Sequence, residues 1–249
     1  MRVLILGGTS EARALAARTA ELPDIDAVLS LAGRTREPQA QPIATRIGGF
    51  GGIDGLCAYL RAERIERVID ATHPFAEQMS RHAAVACAPL GIPLLILTRE
   101  PWRRQPGDDW TEVDDIDAAV RVLGEAPRRV FLTIGRLGLA PFAGAQQHFY
   151  LTRTIDPPDD LAGLPNHRLI LARGPFALED EERLMREASI DVLVTKNSGG
   201  RATYAKMIAS RRLGLPAIVV TQPPRPDVLV VHDVEDALRF LSHEAPRGV

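Results

Sequence analysis

Cysteine and histidine are scarce in this sequence, and each scarcity removes a class of protein. Two cysteines in 249 residues, Cys57 and Cys87, cannot build a disulfide framework, and neither has zinc-ligand spacing. The six histidines are scattered, with no HExxH pair and no His/Cys cluster, so no metal site is expected. A charge excess is missing too. Thirty Lys+Arg against 32 Asp+Glu leave a formal net charge of -2, whereas a general nucleic-acid binder carries a basic surplus. Long apolar runs are also absent. The longest uncharged stretch, Ala83 to Thr98, falls short of the ~20 residues a spanning helix needs, and Pro89, Gly91 and Pro93 break it. The run Val3 to Leu6 is too short for the core of a signal peptide. The expectation is a cytoplasmic monomer with reduced cysteines and with neither nucleic acid nor membrane as a partner.

What is present is ordinary globular composition, 45% apolar and 25% charged, arranged in a regular alternation. Short aliphatic runs read as strands at Val3–Leu6, Ala27–Ala32, Ile43–Ile47, Arg67–Asp70 and Pro93–Leu97. They recur at Val130–Thr133, Phe149–Leu151, Leu169–Ala172, Val192–Thr195, Ala217–Val220 and Val228–Val231. Helical spacing of apolar residues falls between them, at Glu11–Leu22, Asp54–Arg64, Phe75–Ala86, Leu178–Ala188, Tyr204–Leu213 and Val234–Leu241. Such alternation predicts parallel strands with crossover helices, an α/β fold of two Rossmann-like doubly wound domains. A weak repeat supports two such layers: Gly91-Ile92-Pro93 and the strand after it match Gly214-Leu215-Pro216, 123 residues on, and Arg2–Gly7 resembles Arg129–Gly135. Pro101, Pro106 and Gly107 interrupt the pattern, which places domains at 1–105 and 106–249.

Chemistry-bearing residues gather at predicted strand ends. Gly7-Gly8-Thr9-Ser10-Glu11-Ala12 follows the first strand and opens a helix, where outward N–H groups favour a diphosphate; Ser10 alternatively only caps that helix. The dinucleotide fingerprint is partial, because Thr9 stands at its second glycine. Arg34 and Thr35 follow the second strand where NAD-binding folds place an acid, and an Arg there suits a 2′-phosphate unless it is simply solvated. Gly51, in the cluster Gly48–Gly52, is a place for close ligand approach or a plain turn. Thr72, His73 and Pro74 mark the next strand-to-helix junction, with Pro74 expected at the first helical position and His73 either ligand-facing or structural. In the second half, Lys196-Asn197-Ser198-Gly199-Gly200-Arg201 forms an anion cradle without the order of a Walker loop. With Arg136, Arg153, Arg173 and Lys206 it suits a multiply carboxylated ligand, or else it is ordinary surface charge. A non-catalytic two-lobed protein closing on an anionic metabolite fits these features as well.

Taken together, Gly7–Arg13, Asp70-Ala71-Thr72-His73-Pro74-Phe75-Ala76, Ala172-Arg173-Gly174-Pro175-Phe176 and Thr195–Gly200 resemble the precorrin-6A reductase family of cobalamin biosynthesis. The resemblance implies two Rossmann-like domains with the active-site cleft between them, and NADPH as cofactor. It also implies precorrin-6A as the tetrapyrrole substrate, reduced at C18–C19 to precorrin-6B. On that basis residues 1–105 hold NADPH and 106–249 the macrocycle. Phe75 stands where Tyr is frequent and Gln222-Pro223 where Arg-Pro is common, so no proton donor is assigned.

Overall fold

The computed structural model describes residues 1–33, 40–158 and 161–242. The chain forms two compact units, residues 1–100 with 223 onward, and residues 101–222.

The first unit holds strands β1 (Arg2–Leu6), β2 (Asp26–Leu31), β3 (Ala44–Ile47), β4 (Arg67–Asp70) and β5 (Leu94–Leu97). Helices α1 (Ser10–Thr19), α2 (Ile53–Ala62) and α3 (Glu77–Cys87) connect them. Alternating side chains of β1 enter opposite layers, as the two-residue period of a strand requires. Val3 and Ile5 pack with Ala12 and Leu15 of α1, while Leu4 and Leu6 pack with Leu56, Leu60, Ala83 and Ala86 of α2 and α3. Burial of each such Leu or Ile is worth about 1.5–3 kcal/mol, which is why strands and helices lock into one arrangement.

The second unit opens with β6 (Trp110–Val113) and α4 (Ile116–Leu123), followed by β7 (Arg129–Thr133), β8 (Phe149–Thr154) and β9 (His167–Leu171). It continues through α5 (Leu178–Glu187), β10 (Val192–Lys196), α6 (Ala205–Leu213) and β11 (Ala217–Val220). Strand β12 (Leu229–Val231) and helix α7 (Val234–Ser242) belong to the first unit.

Both sheets are parallel throughout and share one plan: β12-β5-β4-β1-β2-β3 in the first and β6-β11-β10-β7-β8-β9 in the second. The repeat in the sequence therefore has a structural meaning. β1 matches β7, β5 matches β11, and Gly91 and Gly214 are both left-handed helix exits, at φ 63° and 65°. Only the edge strand differs in origin, arriving from the carboxyl-terminal segment in one sheet and from the start of the second unit in the other.

One expectation needs correction here. The second domain does not run from 106 to 249, because Leu229–Val231 pairs with Leu95–Leu97 and Ala237 and Leu241 of α7 bury against the first core. The first break does fall where Pro101 interrupts the pattern, but two elements soon after it have no counterpart in the sequence reading. Trp110 starts a strand, and Asp115 caps α4 by accepting from the Ala118 N–H at 2.6 Å. Among the described residues no helix is long and apolar enough to cross a membrane.

Candidate functional site

Ligands of open parallel sheets bind beyond the carboxyl ends of the strands, where the strand order reverses. In the first unit that point lies between β1 and β4. Gly7 proves to be a packing residue, since a Cβ there would lie 2.6 Å from Leu29 Cδ1. Gly8 is the open position. Its φ of 126° suits only glycine, and a Cβ would meet nothing within 4 Å. Thr9 explains the missing second glycine. Its Oγ1 accepts from the Ala12 N–H at 3.1 Å, capping α1, and donates to the Ala71 carbonyl at 2.8 Å, tying this turn to the loop after β4.

Ser10 and Glu11 are held from β5. Arg99 donates through Nε to Glu11 Oε1 at 2.7 Å and through Nη2 to Glu11 Oε2 at 2.6 Å, and Nη2 reaches Ser10 Oγ at 2.8 Å. Burial pushes the Glu11 carboxyl up, but the Arg99 hydrogen bonds and charge outweigh it and hold the group below the usual carboxylate range. The Glu11 carboxylate, expected to face the cofactor, is engaged at both oxygens by Arg99.

Asp70, buried at the end of β4, accepts from the Thr72 N–H at 3.0 Å, from the Thr72 hydroxyl at 2.6 Å and from the Ser80 hydroxyl. That network fixes the loop carrying His73, whose Nδ1 accepts from the Phe75 N–H at 3.2 Å. Pro74 is not at a helix start. It lies in a turn closed by the Ala76 N–H on the His73 carbonyl, and α3 begins only at Glu77. A cavity of about 10 Å³, room for about one water, lies among Asp70, Thr72, His73, Thr98 and Arg225. The buried Thr98 Oγ1 has no hydrogen-bond partner, and burial lowers the Arg225 guanidinium from its ordinary value.

Gly51 lies in a turn at φ 78° with open space around it. The glycine cluster is shaped by Arg46, which donates to the Gly48 and Gly49 carbonyls at 3.0 Å and stacks on the Phe50 ring, 3.9 Å from its centroid. Arg34 and Thr35 lie outside the described residues.

In the second unit the predicted cradle divides. Arg136 follows β7, Arg173 follows β9, Lys196 ends β10, and Ser198, Gly199 and Arg201 lie in the loop that leads to α6, all at the carboxyl edge of the sheet. Arg173 and Arg201 are exposed. Asn197 is committed elsewhere: its Oδ1 accepts from the Trp102 N–H at 2.7 Å and its Nδ2 donates to the Trp102 carbonyl at 2.9 Å. The Trp102 indole N–H completes the clamp by donating to the Gly200 carbonyl at 2.7 Å.

Arg153 and Lys206 are not surface grips either. Arg153 forms a buried, two-pronged ion pair with Glu181 and lies over the Phe176 ring at 3.7 Å. Lys206 is buried in the first turn of α6, its Nζ 5.2 Å from the Trp102 ring centroid. Burial and then the Arg153 charge push its ammonium down to about 7, against the pull of Glu181. Arg153 spends its guanidinium on Glu181 and Lys206 is buried, so neither presents its charge at the surface as a carboxylate grip was expected to.

Sequence reading passed over Arg99 and Arg46, whose partners lie on another element or across a glycine turn, and Arg225, which lines the cavity beside Asp70. The repeat held one usable signal. Arg99 and Gln222 occupy equivalent positions, each one residue beyond a Thr that follows the matched strand, and Gln222 Nε2 donates to the Asn197 carbonyl at 3.0 Å. Among the described residues no group of three or more His, Cys, Asp or Glu is arranged to hold a metal ion.

Comparison with known proteins adds family and fold. The family model "Precorrin-6x reductase CbiJ/CobK" matches residues 2–242. A "Precorrin-6A reductase" of Rhodococcus erythropolis is 51% identical over 241 residues, covering 96% of this chain and 97% of that protein. One of Rhodobacter capsulatus is 49% identical over 250 residues, covering 100% and 99%. A solved structure described as "CobK precorrin-6A reductase" is 48% identical, covers 100% of this chain and 99% of its own, and aligns with a TM-score of 0.91.

Proposed function

From the premise that this chain belongs to the precorrin-6x reductase CbiJ/CobK family, we propose that it reduces precorrin-6A to precorrin-6B in cobalamin biosynthesis with NADPH as reductant. The observation that carries the cofactor half is Gly8, open and left-handed between β1 and α1. A phosphate fits there against the backbone, where the dipole of α1 and its first N–H groups attract it. Thr9 keeps that turn in place from Ala71, and Arg34 answers the 2′-phosphate that separates NADPH from NADH. The glycines around Gly51 and the His73 loop line the same sheet edge.

NADPH, when bound, supplies the hydride that saturates the C18–C19 bond. The second unit's part is to hold the macrocycle's acetate and propionate groups with Arg136, Arg173, Lys196 and Arg201, and to orient them for reaction. Those cations also favour electron density arriving on the conjugated ring. The non-catalytic alternative loses its support, because relatives matched along their whole length are named as reductases.

The test is nicotinamide fluorescence during titration with NADPH and with NADH, followed by the absorbance of added precorrin-6A. Preferred binding of NADPH and loss of the precorrin-6A spectrum are expected. Binding of neither nucleotide would overturn the reading.

A further inference from the structure

The start of α1 carries a feature that works against the anion it is to hold. Glu11 places a carboxylate in the first turn, and its own backbone N–H hydrogen-bonds to that carboxylate. An acid there suits the helix dipole but competes with any phosphate for the same positive end. Arg99 answers it from a distance. It follows β5, two strands away from β1 across β4, and spans a gap of about 10 Å between strand axes to reach the helix. Its fork takes both carboxylate oxygens at 2.7 and 2.6 Å and the Ser10 hydroxyl at 2.8 Å, with side chains only 16% and 24% exposed for Arg99 and Glu11.

We propose that Arg99 is a positioning residue for nucleotide binding: it neutralises and fixes Glu11, so that the start of α1 attracts a phosphate instead of repelling it. This rests on the reading that the Gly8 turn holds NADPH. The planar fork matters as well as the charge, because a lysine offers a single point charge and cannot hold Ser10 and both oxygens together. The pair also removes the need for glycine or a neutral residue at position 11, since the acid's charge is cancelled from across the sheet.

Removing Arg99 leaves Glu11 half-buried, with only its own N–H and the Ser10 hydroxyl to oppose the burial that raises its pKa. The carboxylate then protonates at a higher pH than in the native protein, and its repulsion fades as the solution is acidified. That gives a signature which simple loss of structure does not produce.

The experiment measures NADP+ affinity by calorimetry for the native protein, Arg99→Met, Arg99→Lys, Glu11→Gln with Arg99→Met, and Gly8→Val, with circular dichroism as the check on folding. Arg99→Met is expected to weaken binding by about tenfold, a loss of about 1.4 kcal/mol, and Arg99→Lys to recover part of it. The double variant is expected within about threefold of native, because no unpaired charge is left. The ratio of the Arg99→Met and native dissociation constants is expected to narrow from about pH 8 to about pH 5. Native affinity in Arg99→Met, with Gly8→Val defective, overturns the role of Arg99 alone. A double variant as weak as Arg99→Met also overturns it, since Arg99 would then touch the nucleotide itself. Native affinity in Gly8→Val overturns the nucleotide turn, and the role of Arg99 with it.

Discussion

Arg153 and Glu181 face each other inside the second unit, joined at both oxygens, with side chains 6% and 2% exposed. The guanidinium also lies between the Phe131 and Phe176 rings, at 5.0 and 3.7 Å. Loss of one partner strands a charge in the core. Glu181→Gln is expected to lower unfolding stability by about 3–5 kcal/mol, read by urea denaturation. A loss below about 1 kcal/mol would mean that water reaches the pair in solution.

Lys206 gives this cluster a pH dependence of definite sign. Its ammonium is pushed down to about 7 in the folded chain, from 10.5 in the unfolded one. Below about pH 7 both states carry the proton, and the burial penalty is present in full. As pH rises from about 7, the unfolded chain keeps a proton that the folded chain has released, so stability climbs by up to about 1.4 kcal/mol per pH unit. Cys87, pushed up to about 12 by burial and then by Cys57, works the other way once unfolded thiols ionise near 9. The clean window is therefore pH 7 to 9. Lys206→Met is expected to flatten the rise there and to be the more stable protein at pH 7. Parallel curves for the two proteins would remove Lys206 as the cause.

Arg34 lies just past the end of β2 in the sequence. Arg34→Ala is expected to cost NADPH a charged hydrogen bond of roughly 1.5–3 kcal/mol, about 10- to 150-fold in affinity, with NADH little changed. Fluorescence titration with both nucleotides measures it. Equal losses would assign Arg34 a structural role.

Lys196 ends β10 and carries the macrocycle half of the proposal. Lys196→Ala is expected to weaken precorrin-6A binding by about tenfold or more and to leave NADPH affinity near native. Exposed Arg173 and Arg201 contribute only about 0–1 kcal/mol each, so their single Ala variants are nearly silent, while added salt weakens macrocycle binding in the native protein. Lost NADPH binding in Lys196→Ala, with precorrin-6A binding intact, would reverse the assignment of ligands to the two units.

Strands buried on both faces were legible because a parallel sheet writes them as short aliphatic runs, and Arg67–Asp70 and Ala217–Val220 have the expected bounds. Trp110–Val113 was not legible, since Thr111 and Glu112 are exposed on an edge strand and break the run. The return of β12 and α7 to the first unit depends on pairing between Leu229–Val231 and Leu95–Leu97, a long-range choice that no local pattern records. In the site, the glycine turn was readable from spacing, but the fate of each polar group was not. Asn197 sits at a strand end like a ligand contact, yet its amide is used on Trp102, 95 residues away. Arg99 belongs to no motif in the sequence, because its partner lies 88 residues earlier.

Transfer of a labelled hydride tests the central claim most directly. Precorrin-6A is incubated with NADPH carrying deuterium at one or the other face of nicotinamide C4, and the reduced macrocycle is weighed by mass spectrometry. One labelled form is expected to deliver a single deuterium to the C18–C19 pair, with one NADP+ formed per macrocycle, and the other form none. A reduced macrocycle without deuterium from either form, or no reduction while NADPH is bound, would contradict the account.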